Sequence, residues 1–198
     1  MESLKAPSPD SVPDLFRVFP FVAGADSHAP GGAFYVPSLG GGRIDNPGVY
    51  PVLYLGDSAP GAIAEAFGRF PEWTPSILES APGGPRSLRA VARYHLPDDA
   101  PVCNLDDPER LLALKLRPSD VVTRDYARSR AWARLIYDQK IWIGIRWWSY
   151  YNPTWYSFGL WDTSRLVLAT VNPLRLDNPD LLEAGRMIIR RVIASPRK

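Results

Sequence analysis

Twenty-one prolines and fifteen glycines interrupt this 198-residue chain along its whole length. Proline removes a backbone donor and fixes φ, while glycine raises the entropy lost on ordering, so both break up long regular elements. A chain punctuated in this way favours short strands, short helices and many loops over a helical bundle. The length suits one domain with a real core, and 45% hydrophobic with 22% charged residues is a globular balance. A net charge of +2 is too mild to imply nucleic acid or an anionic membrane as a partner. No apolar run reaches the roughly 18 residues that a spanning helix needs. The single cysteine, Cys103, excludes an internal disulfide and points to a reducing compartment. Residues 1–13, polar and proline-rich, are expected to be a flexible lead-in and not a signal peptide. A cytoplasmic protein is the expectation.

The coarse element pattern mixes strands and helices without strict alternation. Residues 15–21 (LFRVFPF) read as an apolar strand carrying Arg17, and 22–48 as a long glycine-rich loop with a strand piece at 33–36. Residues 51–56 (PVLYLG) form a compact apolar run between turn residues, which predicts a strand. Asp57 or Ser58 can cap a following helix with Pro60 in its first turn and Ala62, Ile63, Ala66 and Phe67 on one face. The proline-rich stretch 71–86 reads as a loop, and the alternation in LRAVARYHL predicts a strand over 88–96. Helices are expected at 107–115, from 120 or 123 to 139, and from 178 or 179 through Val192. A strand is expected at 141–149, and a closing hairpin from 155–161 and 165–171. The class is α+β: a single domain with a mixed, mostly antiparallel sheet and flanking helices.

Chemistry concentrates in residues 41–70, which set Arg43, Tyr54 and Glu65 on a loop, a strand and a helix in succession. Glu65 is the sole charged residue between Pro60 and Gly68, so it either faces solvent or is aimed at a ligand. Arg43 follows three glycines, which let a ligand approach the backbone closely. Arg17 either snorkels to water from an edge strand or holds phosphate oxygens as a bidentate fork. Tyr54 is either a core residue or a flat face for a heteroaromatic ring. Ser149, ending IWIGIRWWS, is by pattern a turn residue. Other constellations are missing: His28 and His95 lack neighbouring ligands for a metal, and no G-x-S-x-G elbow, P-loop or dinucleotide fingerprint occurs. The aromatic run from Trp142 to Tyr156 is short of the basic residues that a single-strand binding groove requires, so no direct nucleic-acid binding is expected.

These residues together carry a resemblance. FRVF near the start, GGRIDNPGVYPVLYLGDSAPGAIAEAF, LRPSDVVTRDYARSRAWARLIYDQKIWIGIRWWS and a closing FGLWD resemble the RES-domain family, named for an arginine, a glutamate and a serine. The resemblance implies a RES domain over 14–198, a fold similar to ADP-ribosyltransferases, and the role of a toxin in a bacterial toxin–antitoxin pair. It implies NAD+ as substrate with no separate cofactor or metal, cleaved at the nicotinamide–ribose bond by phosphorolysis or hydrolysis. A cognate antitoxin protein is the implied partner, with the exposed aromatics of 147–156 one candidate docking surface and no membrane involved. Carried over by position, Arg43, Glu65 and Ser149 match the catalytic arginine, glutamate and serine. Arg17 and Tyr54, with Arg43, match the substrate-binding residues. Val18 departs from the aromatic common after the first-strand arginine. In this chemistry a carboxylate stabilises an oxocarbenium-like ribose, the role expected of Glu65. Arg43 with Arg17 would clamp the pyrophosphate, Tyr54 would stack on nicotinamide, and Ser149 would bond its amide or a ribose hydroxyl. Two alternatives stand beside this reading: a mono-ADP-ribosyltransferase acting on a protein, and a non-catalytic binding module with a decayed pocket.

Overall fold

The computed structural model describes residues 14–37, 40–79 and 88–194. The expected lead-in, 1–13, lies outside the described residues, as does part of the expected loop at 71–86. In chain order the elements are β1 (Asp14–Phe21), β2 (Leu53–Gly56), α1 (Ala59–Phe67), β3 (Glu72–Trp73), β4 (Leu88–His95), β5 (Val102–Asn104), α2 (Pro108–Ala113) and α3 (Pro118–Val121). They continue with α4 (Tyr126–Asp138), β6 (Gly144–Trp148), β7 (Tyr156–Leu160), β8 (Val167–Pro173), α5 (Pro179–Met187) and β9 (Arg191–Val192). Seven strands form one sheet in the order β5-β6-β7-β2-β1-β4-β8. Its β5–β6 pair is parallel and the other pairs are antiparallel. β3 and β9 make a small separate parallel pair. The architecture is therefore the α+β one, a mixed and mostly antiparallel sheet flanked by helices. No helix among the described residues is long and apolar enough to cross a membrane.

Strand alternation explains how the sheet is covered. β1 sends Leu15 and Phe19 to one face, where they pack with Leu53, Tyr94 and Leu160. Val18 points the other way, against Ile63, Phe67, Trp73 and Leu181 of the layer built from α1 and α5. Completely buried Ile63 and nearly buried Phe67 each contribute roughly 1.5–3 kcal/mol of burial. A third cluster, with Ile44, Cys103, Trp132, Ile136 and Ile145, ties α4 to β5 and β6.

Local chemistry sets the element that matters most. The Ser58 side chain accepts from the Gly61 amide as N-cap of α1, and Pro60 sits in its first turn. Ala62, Ile63, Ala64 and Phe67 are buried, which leaves Glu65 on the open face.

Several expectations are corrected. Residues 33–36 are not a strand: the Ala33 and Tyr35 carbonyls accept from side chains, Arg17 to both and Tyr94 to Ala33, and so have no ladder partner. The helix expected up to 139 is two, α3 and α4, divided at 122–125, where Asp125 caps α4 by accepting from the Arg128 amide. β7 and β8 form no hairpin, since β7 lies between β6 and β2 while β8 pairs with β4. Val192 is in β9 and not on the last helix, and β5 was not anticipated. The loop expected from 71 includes β3 and a 3-10 turn, Pro75–Leu78.

Candidate active site

The glycine loop before Arg43 is gripped from two sides. From the sheet, the Tyr54 hydroxyl donates to Asp45 Oδ1 at 2.7 Å and accepts from the Ile44 amide at 3.1 Å. Asp45 Oδ2 in turn accepts from the Gly42 amide at 2.6 Å. Burial, then the neighbouring Asp45 carboxylate, hold the Tyr54 phenol far above its usual range, so it stays a neutral donor. From α4, Arg130 NH2 donates to the Gly40 carbonyl at 2.6 Å, and its Nε and NH2 both donate to Gly42 O at 3.2 Å. Ser129 Oγ donates to Arg43 O at 2.6 Å. This closeness requires glycine at 42, where a Cβ would lie 2.2 Å from the Tyr54 hydroxyl oxygen.

So held, Arg43 donates through NH1 to the carbonyls of Val121, at 3.0 Å, and Thr123. Its guanidinium lies over the Tyr126 ring, 5.5 Å from the centroid. Its Nε and NH2 have no partner among the described residues and remain available to an anion.

Opposite, Ser149 Oγ donates to Glu65 Oε1 at 2.6 Å and accepts from the Tyr151 amide at 3.1 Å. Ser157 Oγ on β7 reaches the same Oε1 at 3.4 Å. Both serines are buried, at 4% and 5% exposure, whereas Glu65 is exposed. A cavity of about 290 Å³ is lined by Arg17, Arg43, Tyr54, Glu65, Tyr126 and Ser157. A larger one, about 630 Å³, adjoins it through Arg17, Val18, Gly42 and Tyr54 but has neither Arg43 nor Glu65 in its wall. The candidate residues Arg43 and Glu65 therefore meet at the smaller cavity, which shares a wall with the larger.

Four of the five residues expected from sequence thus line one cavity, and Ser149 stands behind Glu65. Arg17 is also a strut: NH1 and NH2 donate to Ala33 O and Tyr35 O, both at 2.7 Å, and burial lowers its basicity. Sequence reasoning missed Asp45, Tyr126, Ser129, Arg130 and Ser157. Most leave no local signal, because they act across 80 or more residues, as Arg130 does on Gly42 at a separation of 88. Ser157 had one: a hydroxyl inside the apolar strand YSFGL is the same kind of anomaly as Glu65 on its alanine-rich helix. Of the aromatic run expected as a docking surface, Trp147 and Trp155 are buried, whereas Tyr150 is half exposed and Trp148, Tyr151 and Tyr156 are partly exposed. No cluster of three or more His, Cys, Asp or Glu suited to a metal occurs among the described residues.

A family model described as the RES domain matches residues 14–178. The fold is similar to that of a chain in the crystal structure of the M. tuberculosis MbcT–MbcA toxin–antitoxin complex. That likeness has a TM-score of 0.60 at 17% identity, over 89% of this chain and 88% of the other. No curated protein matches by sequence.

Proposed function

Because the chain belongs to the RES-domain family, we propose that it is an NAD+-consuming toxin that cleaves the nicotinamide–ribose bond in the smaller cavity. The observation that carries this reading is a serine-bonded carboxylate, Glu65, sharing a cavity with the unpartnered nitrogens of Arg43. A carboxylate suits the positive charge that develops on ribose, and an arginine suits the pyrophosphate carried on the 5′ side of the same ribose.

In the proposed step the bond from ribose C1′ to the nicotinamide nitrogen breaks with both electrons going to the ring. Nicotinamide leaves neutral, so no strong general acid is required. The charge left on C1′ and the ring oxygen faces Glu65, and a phosphate oxygen or a water forms the new bond to C1′. Water releases its proton to solvent and yields ADP-ribose, and phosphate yields ADP-ribose 1″-phosphate. NAD+ is the substrate, and no further cofactor takes part. Arg43 holds the pyrophosphate, with Arg17 adding positive potential from the shared wall of both cavities. The geometry favours duties for Tyr54 and Ser149 other than direct stacking and amide binding. Tyr54 fixes the Arg43 loop through Asp45, and Ser149 orients Glu65.

A cognate antitoxin would restrain such an enzyme in the cytoplasm, where NAD+ is plentiful. The test is incubation of purified protein with NAD+, with and without phosphate, following nicotinamide and the ADP-ribose product. Nicotinamide release that is lost in Glu65→Gln supports the reading, and the product formed identifies the acceptor. No release in either buffer overturns it.

A further inference from the structure

We propose that Ser157 is a positioning residue for Glu65, acting with Ser149 to hold one carboxylate oxygen so that the other is presented to substrate; this rests on the proposed NAD+ chemistry. Both hydroxyls meet the same atom, Oε1, Ser149 at 2.6 Å and Ser157 at 3.4 Å. Oε2 has no partner among the described residues and belongs to a side chain that lines the cavity. A carboxylate held at one oxygen by a single bond still swings about it, whereas donors from two strands define its plane.

The fold accounts for the approach. Ser157 lies opposite Gly56 of β2 and Trp147 of β6 in the ladder. Gly56 presents no side chain, and a Cβ there would meet the Ala62 amide nitrogen at 3.0 Å. α1 thus packs directly on the strand beside Ser157, which brings Glu65, one turn beyond Ala62, within reach of a hydroxyl rising from the sheet. Ser157 is only 5% exposed as a residue, its hydroxyl needs a partner, and the acceptor it meets is Glu65 Oε1. Ser149 follows the end of the neighbouring strand β6, where its amide donates to the Trp155 carbonyl at 2.7 Å, so both serines are set by the same β6–β7 ladder.

The test compares Ser157→Ala and Ser157→Thr with the unmodified protein in NAD+ kinetics and in 13C NMR of the Glu65 side-chain carboxyl, assigned with Glu65→Gln. Ser157→Ala is expected to lower kcat about tenfold with KM changed less than about twofold, the mark of an interaction that matters at the transition state. It should also shift or broaden the Glu65 carboxyl signal, and Ser157→Thr should restore both. Unchanged kcat, or a raised KM with kcat intact, would overturn the proposal, the second by making Ser157 a substrate contact. Should the unmodified protein release no nicotinamide, the proposed reaction fails on its own. The carboxyl signal then decides the positioning role, since an identical signal in Ser157→Ala overturns it.

Discussion

At Gly42 the space is so tight that one methyl group would displace the hinge of the site. A Cβ there meets Tyr54 Oη at 2.2 Å and Asp45 Oδ1 at 2.7 Å, so Gly42→Ala is expected to destabilise the fold by about 1–3 kcal/mol. A urea midpoint measures that loss, and nicotinamide release should fall with it as Arg43 shifts. Tyr54→Phe probes the same joint from the other side. It keeps the ring but leaves Asp45 Oδ1 and the Ile44 amide without their partner, a loss of about 1–3 kcal/mol. If Tyr54 instead acts chiefly by stacking on substrate, Tyr54→Phe will leave both midpoint and activity near the starting values. At this scale the sequence was informative wherever a residue was out of character with its neighbours. Glu65 stands alone among alanines, and Arg43 follows three glycines. Tyr54 had an ambiguous pattern, because a strand tyrosine reads alike whether its hydroxyl faces a ligand or an aspartate nine residues earlier.

The helix α4 holds a loop more than eighty residues upstream through two consecutive side chains, Ser129 and Arg130. Arg130→Ala removes its bonds to Gly40 and Gly42 while leaving the buried face of α4, Trp132, Ala133 and Ile136, intact. The thermal midpoint is therefore expected to move little. On the proposed reading kcat/KM should nonetheless drop by about 10–100-fold, since a small displacement of the Arg43 clamp proposed for substrate is costly. Equal losses in stability and activity would instead mark Arg130 as a general support. Elements were legible where local rules decide them: the Ser58 cap with Pro60, the compact LYLG run and the alternation of β4 all stand close to their expected places. They were illegible where distant pairing decides. β5 is three residues long and exists through its parallel ladder to β6. A hairpin was expected from β7 and β8 because they follow one another, yet β7 finds β2 a hundred residues back.

Across the whole molecule, burial keeps several weak acids neutral. Tyr50 and Tyr94 are pushed up from 10.0 to about 12 and the Cys103 thiol from 9.0 to about 11, in each case chiefly by desolvation. An unfolded chain loses these protons earlier than the folded one, so this contribution to stability is full below the ordinary values and disappears as pH rises through the raised ones. Denaturant midpoints should accordingly fall between pH 9.0 and about 12, and Cys103 should resist thiol reagents until the protein unfolds. A thiol that titrates rapidly in the native state would contradict its complete burial. The class followed from composition and pattern, whereas strand order and the one parallel pair of the main sheet did not, because they depend on which distant surfaces fit. That order has a consequence in time. β7 enters the sheet between β6 and β2, strands laid down earlier, and it carries a hydroxyl that Glu65 awaits from 92 residues upstream. A ribosome adding about 5–20 residues per second takes roughly 5–20 s to cover that distance. Throughout most of that interval the carboxylate has neither serine to bond, so the proposed site is complete only after the last of its strands has been synthesised.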